Sequence, residues 1–349
     1  MLKSTLTHLY CPLCQGELTL TGTQQSSDIL SGEVTCAGCA NKYPILAGVL
    51  ILVPDVEGYL LEHVKGISRY ISDSEIPKLY RESFLKAKNE IASEHIEEDL
   101  EAERVTALYV MTHYLNAKNV ASPSPAIQKV INDYWDHGPF TKIKKWFQTN
   151  PEKKSLIELG CGTGGLLPTL RDHLSNYLGL DQSFASLVLA RHLALGAKLP
   201  HGISIPYDLI EGPIAKEITP TLHPIGFEAD FIVCDLNSPP VRSLQWEVSA
   251  ALNVIDMLPE PNTLPILQSR LLIKEGIAIQ SSPYIWHPEI AQELKEATQA
   301  VSSEAAVTKL YQNQGFTIQT QLEHVPWIFY KNYRQIELYS THILFAKKG

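Results

Sequence analysis

The sequence predicts an α/β fold built on a mostly parallel sheet, with a small cysteine-rich unit in front of it. Three observations predict this. Beyond residue 150, short apolar runs alternate with helical periodicity, the pattern of a parallel sheet covered by helices on both faces. The first of those runs opens into a glycine loop, Gly160-Cys161-Gly162-Thr163-Gly164-Gly165. Near the amino terminus, four of the six cysteines form two Cys-x-x-Cys pairs.

Taken in order, residues 1–57 are rich in Cys, Gly, Thr and Ser with short alternating segments, and read as small β-structure with no core of its own. Residues 58–150 turn helical. Leu79, Phe84, Leu85, Ile91, Ile96, Leu100, Val105, Leu108 and Met111 recur between charges at three-to-four-residue steps. Ser122-Pro123-Ser124-Pro125 breaks that pattern, and a second helical stretch runs from Ala126 to Phe147. Residues 151–349 form the main domain. Its expected strands are Ser155–Leu159, Tyr177–Asp181, Asp230–Asp235, Val248–Val254 and Gly276–Ile279. Helices are expected over Leu166–Ser175, Phe184–Leu195 and Leu264–Ile273. A Pro-punctuated insert occupies residues 196–229, and two strand-like runs from Gly315 to Lys348 suggest an antiparallel pair at the sheet edge.

Composition narrows the function. The 349 residues are 44% hydrophobic and 19% charged, with mean hydropathy −0.06. No apolar run approaches the roughly 18 residues that a membrane span needs, and the amino terminus lacks a signal peptide, so the cytoplasm is expected. A net charge of −9 speaks against nucleic acid, whose binders carry basic faces. The lysines at 142–145 and 153–154 and the acidic run Glu94–Glu103 read as solvated faces.

Cys11-Pro12-Leu13-Cys14 and Cys36-Ala37-Gly38-Cys39, separated by 21 residues, place two thiolates on each of two tight turns. Four sulfurs complete a tetrahedral zinc site with no open position, so the metal is expected to be structural. Gly16 and Gly38 are expected to supply left-handed turn conformations. The stretch that follows, Tyr43-Pro44-Ile45-Leu46-Ala47-Gly48-Val49, resembles the Tyr-Pro-Ile signature of small zinc-ribbon proteins that activate tRNA and protein methyltransferases. The resemblance covers residues 8 to 56.

Gly160-x-Gly162-x-x-Gly165 fits a dinucleotide fingerprint as well as other nucleotide loops. Glu158, two residues before the first glycine, decides between them: a carboxylate suits the cationic end of S-adenosylmethionine and serves nothing beside a pyrophosphate. Asp181, 17 residues after Gly164, can accept both ribose hydroxyls, whichever of the two cofactors is bound. Gln182 follows it at the same strand end. Asp235 is placed to accept the adenine amino group, with Leu180 and Leu236 packing on the ring. With Gly160, Gly162, Gly164 and Asn253 these complete the candidate cofactor set. From Leu156 to Lys348 the chain resembles a class I methyltransferase domain, which implies a Rossmann-like fold and this cofactor.

For the acceptor, the strand ends offer Asn253 and Asp256 after the fourth strand, and Tyr284 and Trp286 after the fifth. Asp256 could orient a nitrogen or take its proton, and Tyr284 could stack on a ring, which makes these two the catalytic candidates. Helix capping for Asp256 and core packing for Tyr284, Trp286 and His324 are the structural alternatives. Tyr134 and Trp135 are candidates for a helical lid. Ala251–Pro261, Ser282–Trp286 and Glu323–Pro326 resemble the methyltransferase half of ovothiol-biosynthesis enzymes, which implies N-methylation of a small or peptide-borne, amino-acid-like or heteroaromatic acceptor. An RNA base methyltransferase is the rival; its Asn-Pro-Pro-Tyr-type clamp is replaced here by Asn253-Val254-Ile255-Asp256. A non-catalytic adenosylmethionine-binding scaffold is the third reading. Acceptor identity and oligomeric state stay open at this level.

Overall fold

The computed structural model describes residues 1–21, 28–91, 108–114, 122, 124–196, 203–206, 215–218, 225–332 and 334–349. The acidic run Glu94–Glu103 and much of the 196–229 insert lie outside the described residues.

The amino-terminal unit contributes β1 (Leu18–Thr21), β2 (Gly32–Cys36), β3 (Lys42–Leu46) and β4 (Val49–Ile51). Helices α1 (Val56–Glu62), α2 (Val64–Ser68) and α3 (Lys78–Ile91) follow, with α4 described over 108–114. Of the periodic apolar residues, Phe84 is buried in α3, whereas Leu79 is exposed. The single helix expected over Ala126–Phe147 is two, α5 (Pro125–His137) and α6 (Pro139–Thr149). Gly138 is extended between them (φ −68°, ψ 176°), and Pro139 begins the second, where a missing N–H costs nothing.

The remaining elements are β5 (Lys154–Leu159), α7 (Leu166–Leu170), β6 (Leu174–Asp181), α8 (Phe184–Leu195), β7 (Ile203–Pro206), β8 (Ala215–Ile218), β9 (Glu228–Val233) and β10 (Trp246–Leu252), then α9 (Thr263–Leu271), β11 (Leu272–Ser282), α10 (Pro288–Thr298), α11 (Ser303–Asn313), β12 (Phe316–Asn332) and β13 (Gln335–Lys348). Helix α7 stops earlier than expected because Leu174 already belongs to β6. Strand β10 ends at Leu252, since Asn253 turns left-handed at φ +57°. The β7–β8 hairpin lies inside the proline-rich insert.

Eleven strands form one sheet in the order β1-β2-β3-β4-β9-β6-β5-β10-β11-β13-β12. From β4 to β11 every pairing is parallel, and β13 and β12 close one edge antiparallel. This is the Rossmann-like α/β fold that the sequence predicts. The cysteine-rich unit joins the same sheet: β4 pairs with β9 at Leu50 with Ile232 and Ile51 with Val233, and Leu52 N–H donates to Val233 C=O at 2.9 Å. Val34, Ile45, Val49, Leu50 and Ile51 are fully buried in the common core. Arg191 of α8, 3% exposed, bridges Asp230 of β9 at 2.8 Å and Asp28 at 2.7 Å. Gly48 makes room for that guanidinium: it sits at φ +79°, and a Cβ there would lie 2.6 Å from Arg191 Nε.

No helix among the described residues is long and apolar enough to cross a membrane.

Candidate functional site

Strand order reverses between β5 and β10: the chain goes from β5 outward to β6 and β9, then returns to β10 and β11 on the other side. In parallel sheets this switch point opens a crevice at the carboxyl ends of the strands. A cavity of about 720 Å³ lies there, lined by the ends of β5, β6, β9 and β10.

The glycine loop forms its floor. Gly160, Gly162 and Gly164 all have positive φ, at +69°, +52° and +75°, which β-carbons disfavour. At Gly160 a Cβ would also lie 2.5 Å from Val254 Cγ2. Gly165 is instead right-handed, and a Cβ there would run into His113.

Three acids face this floor. Glu158 is 3% exposed, and its Oε2 accepts a 2.5 Å hydrogen bond from Tyr177. Burial pushes its carboxyl up to about 8, against the opposing pull of the tyrosine hydrogen bond. Asp181 is held by two backbone donors, Gly162 N–H and Ser183 N–H, each at 2.8 Å. Burial raises it from the usual carboxylate range as well. Asp235 is exposed, and its Oδ1 accepts from Asn237 N–H and Nδ2. Among the described residues, no lysine or arginine lines the cavity. The Glu158 and Asp181 carboxyls both resist ionisation because they are buried with no described lysine or arginine beside them, and a cation placed there would favour their charged form.

Of the sequence candidates, Glu158, Gly160, Gly162, Asp181, Gln182, Asp235, Leu236 and Asn253 line this cavity together. Gly164 sits one turn below, against Ala190 and Phe231. Leu180 is fully buried in the core and not among the lining residues. Gln182 is set by a residue that sequence reasoning missed: Tyr59 of α1 donates to its carbonyl at 2.6 Å and accepts from Phe184 N–H at 3.1 Å.

The other wall is aromatic. Tyr109 and His113 from α4, Phe140 from α6 and Trp327 from β12 line it. His113 Nδ1 accepts from Gly165 N–H at 3.3 Å and lies 2.9 Å from Thr163 Oγ1, which leaves the proton of the neutral ring on Nε2. Burial depresses this histidine to about 3, so the ring is uncharged. Helix α4 is held over the loop by Tyr114 OH, which donates to Thr163 C=O at 2.6 Å. Thr112 Oγ1 joins it to β12 through Ile328 C=O at 3.0 Å. Tyr134, a candidate for a lid or for ordinary packing, is buried and donates to Thr112 C=O of α4. Nothing in the sequence around 109, 140 and 327 marks these rings as neighbours.

Asp256 and Tyr284 are not brought to the cavity lining. Asp256 Oδ2 accepts from Ile285 N–H at 2.9 Å, tying the loop after β10 to the loop after β11. Tyr284 OH lies 2.6 Å from His342 Nδ1, and its ring stacks on Trp286 at 5.5 Å and 15°. Trp286 Nε1 donates in turn to Ser303 at 3.0 Å. Desolvation pushes the Tyr284 phenol well above its ordinary range. His324 is left-handed at φ +57° in the bulge of β12.

At the far edge of the sheet the sulfurs of Cys11, Cys14, Cys36 and Cys39 all lie within 4.8 Å of one another. The turns differ from expectation in one respect. The left-handed residues are Gln15 and Ala40, both at φ +59°, and not Gly16 or Gly38. The glycines clear space for sulfur: a Cβ on Gly16 would lie 3.0 Å from Cys36 Sγ, and one on Gly38 3.3 Å from Cys14 Sγ. Four convergent thiols are a donor set that fits zinc.

No family model matches the chain, and no curated protein matches it. Solved structures do resemble it. Magnesium protoporphyrin IX methyltransferase from Synechocystis, with S-adenosylhomocysteine bound, is 14% identical, with TM-score 0.44 over 72% of this chain and 94% of that one. An S-adenosylmethionine-dependent methyltransferase from Thermotoga maritima is 13% identical, with TM-score 0.34 over 60% and 89%. A chain of the Haloferax volcanii complex containing the Trm112 methyltransferase activator is 12% identical, with TM-score 0.35 over 63% and 93%.

Proposed function

We propose that the protein is an S-adenosylmethionine-dependent methyltransferase acting on a nitrogen of a small or peptide-borne, amino-acid-like or heteroaromatic acceptor. The observation that carries this reading is the pairing of a three-glycine cradle with the buried acids Glu158 and Asp181, in a cavity whose described lining holds no lysine or arginine. Asp181 would serve a ribose in either cofactor, so Glu158 separates them: a dinucleotide would set its pyrophosphate near that acid, whereas a sulfonium with an ammonium group suits it. When bound, the cofactor supplies an electrophilic methyl group.

The chain's own residues then divide the work. Glu158 offers the counter-charge, and Gly160 and Gly162 leave room for the ligand. Asp181, already fixed by two backbone donors, accepts from ribose hydroxyls, while Asp235 and Leu236 take the adenine. Asn253 closes the strand-end side. Asp256 and Tyr284 hold the loops behind the cavity and do not meet the acceptor. The four cysteines bind one structural zinc, and a cytoplasmic setting, which keeps thiols reduced, suits that role.

Thermal denaturation tests the cofactor assignment. S-adenosylhomocysteine should raise the melting temperature and nicotinamide dinucleotides should not; the reverse pattern reverses the assignment. Metal analysis of reduced, freshly purified protein should find about one zinc per chain.

A further inference from the structure

We propose that, of the acceptors named above, the cavity takes the heteroaromatic small molecule: an uncharged planar ring, without the carboxylate of a free amino acid. This rests on the methyltransferase reading above.

Once the glycines and acids are assigned to the cofactor, the remaining lining changes character. One wall is Tyr109, His113, Phe140 and Trp327; facing it are aliphatic side chains that include Leu252, Val254 and Leu258. The rings hold one another edge-on. Phe140 meets Trp327 at 5.7 Å and 70°, His113 meets Phe140 at 5.3 Å and 75°, and His113 meets Trp327 at 6.1 Å and 79°. Rings locked edge to face leave π-faces unpaired within the cluster, and a flat ligand ring can complete the packing. Trp327 is 3% exposed, and its Nε1–H has no hydrogen-bond partner. Its indole is therefore held by packing and not by a hydrogen bond.

Charge narrows the class. No described lysine or arginine lines the cavity, so a phosphate or carboxylate on the acceptor would be desolvated without compensation. A cationic acceptor would be repelled by the sulfonium sharing the cavity. His113, neutral and with Nδ1 already engaged, presents one donor, Nε2–H, which suits an acceptor atom on a heterocycle. Volume bounds the size. About 720 Å³ is ordinary for one ligand site, and here cofactor and acceptor divide it, which leaves room inside for one ring and its small substituents.

The test titrates the full chain by calorimetry and thermal shift: saturated with S-adenosylhomocysteine for isoquinoline, benzoate and a short RNA oligonucleotide, and saturated with S-adenosylmethionine, which keeps the sulfonium, for tetramethylammonium. Isoquinoline should bind, and the other three should bind at least about tenfold more weakly. Phe140→Leu and Trp327→Leu should each weaken isoquinoline about tenfold, the scale of a lost aromatic contact, with S-adenosylhomocysteine affinity changed by less than about twofold. Tyr109→Leu, at a half-buried position, gives the same reading if a buried-ring variant does not fold. Benzoate, tetramethylammonium or RNA binding as tightly as isoquinoline overturns the proposal. So does isoquinoline binding that ignores all three variants, or its failure to bind a protein that does bind S-adenosylhomocysteine. Loss of S-adenosylhomocysteine binding in the wild-type chain is a separate result, and it overturns the methyltransferase reading itself.

Discussion

The two halves of the cavity are held by different physics. The proposed cofactor half is made of strand ends: Glu158 is next to last in β5, Asp181 ends β6 and Asp235 lies two residues beyond β9, and Gly162 N–H of the glycine loop donates to the Asp181 carboxylate. Its geometry is the geometry of the sheet. The acceptor half is made of side chains from α4, α6 and β12 that hold one another by edge-on ring contacts. The first half has fixed polar directions, and the second has shape and little charge. Substitutions should therefore act on ligand affinity in the first and on ligand choice in the second.

The largest effect should come from the metal, since structural zinc contributes on the order of 10 kcal/mol to small sites of this kind. Because β4 pairs with β9, and Asp235 follows β9, losing the metal should reach the cofactor half first. Cys36→Ser should abolish zinc binding, lower the melting temperature and weaken S-adenosylhomocysteine. A variant that lacks zinc yet binds the ligand normally would show that the two are uncoupled.

Next comes Asp181→Ala. Removing a charged acceptor of two ribose hydrogen bonds should cost about 2–3 kcal/mol, roughly 30- to 150-fold in affinity by calorimetry. A change of less than about threefold would remove Asp181 from the cofactor set.

A third effect is pH-dependent. The Glu158 carboxyl, near the ordinary 4.5 of a glutamate when unfolded, is pushed up to about 8 in the fold. A raised folded value means that its contribution to stability is complete below the unfolded value. That contribution is lost as pH climbs through the folded one, so the ligand-free protein should weaken between about pH 4.5 and 8. A cationic ligand favours the ionised carboxylate, so binding below about pH 8 should release a proton, measurable by calorimetry in buffers of different ionisation enthalpy. Glu158→Gln should abolish that release. Proton release unchanged in Glu158→Gln would falsify this assignment.

The smallest effect tests the boundary. Tyr284→Phe removes the contact with His342 outside the cavity, costing about 1 kcal/mol of stability, and should leave S-adenosylhomocysteine affinity within about twofold. A tenfold loss of affinity would move Tyr284 back into the site.

This division also explains what was legible in the sequence. Glu158, Asp181 and Asp235 stand at fixed places after recognisable strands, so a strand-by-strand reading finds them. The cysteine pairs are legible for the same reason, since their chemistry depends on local spacing. Tyr109, Phe140 and Trp327 are gathered from three distant segments, and any of them reads as ordinary core until the topology is known. Asp256 and Tyr284 mislead in the opposite way. They follow strand ends, but the chain turns left-handed at Asn253 and Tyr284, and their polar atoms are engaged by Ile285 N–H and His342 outside the cavity lining. The glycines of the metal turns were noticed for their backbone freedom, whereas the fold uses their missing side chains to admit sulfur.

The junction of β4 with β9 is short, two register pairs beside the Arg191 bridge to Asp28 and Asp230. Between separate molecules a ladder of that length would come and go with dilution. Carried on one chain, its two sides meet at an effective concentration on the order of millimolar, whatever the abundance of the protein. The edge of β9 is thus kept covered without a partner having to be present in matching amount, and its backbone groups are withheld from pairing with other chains.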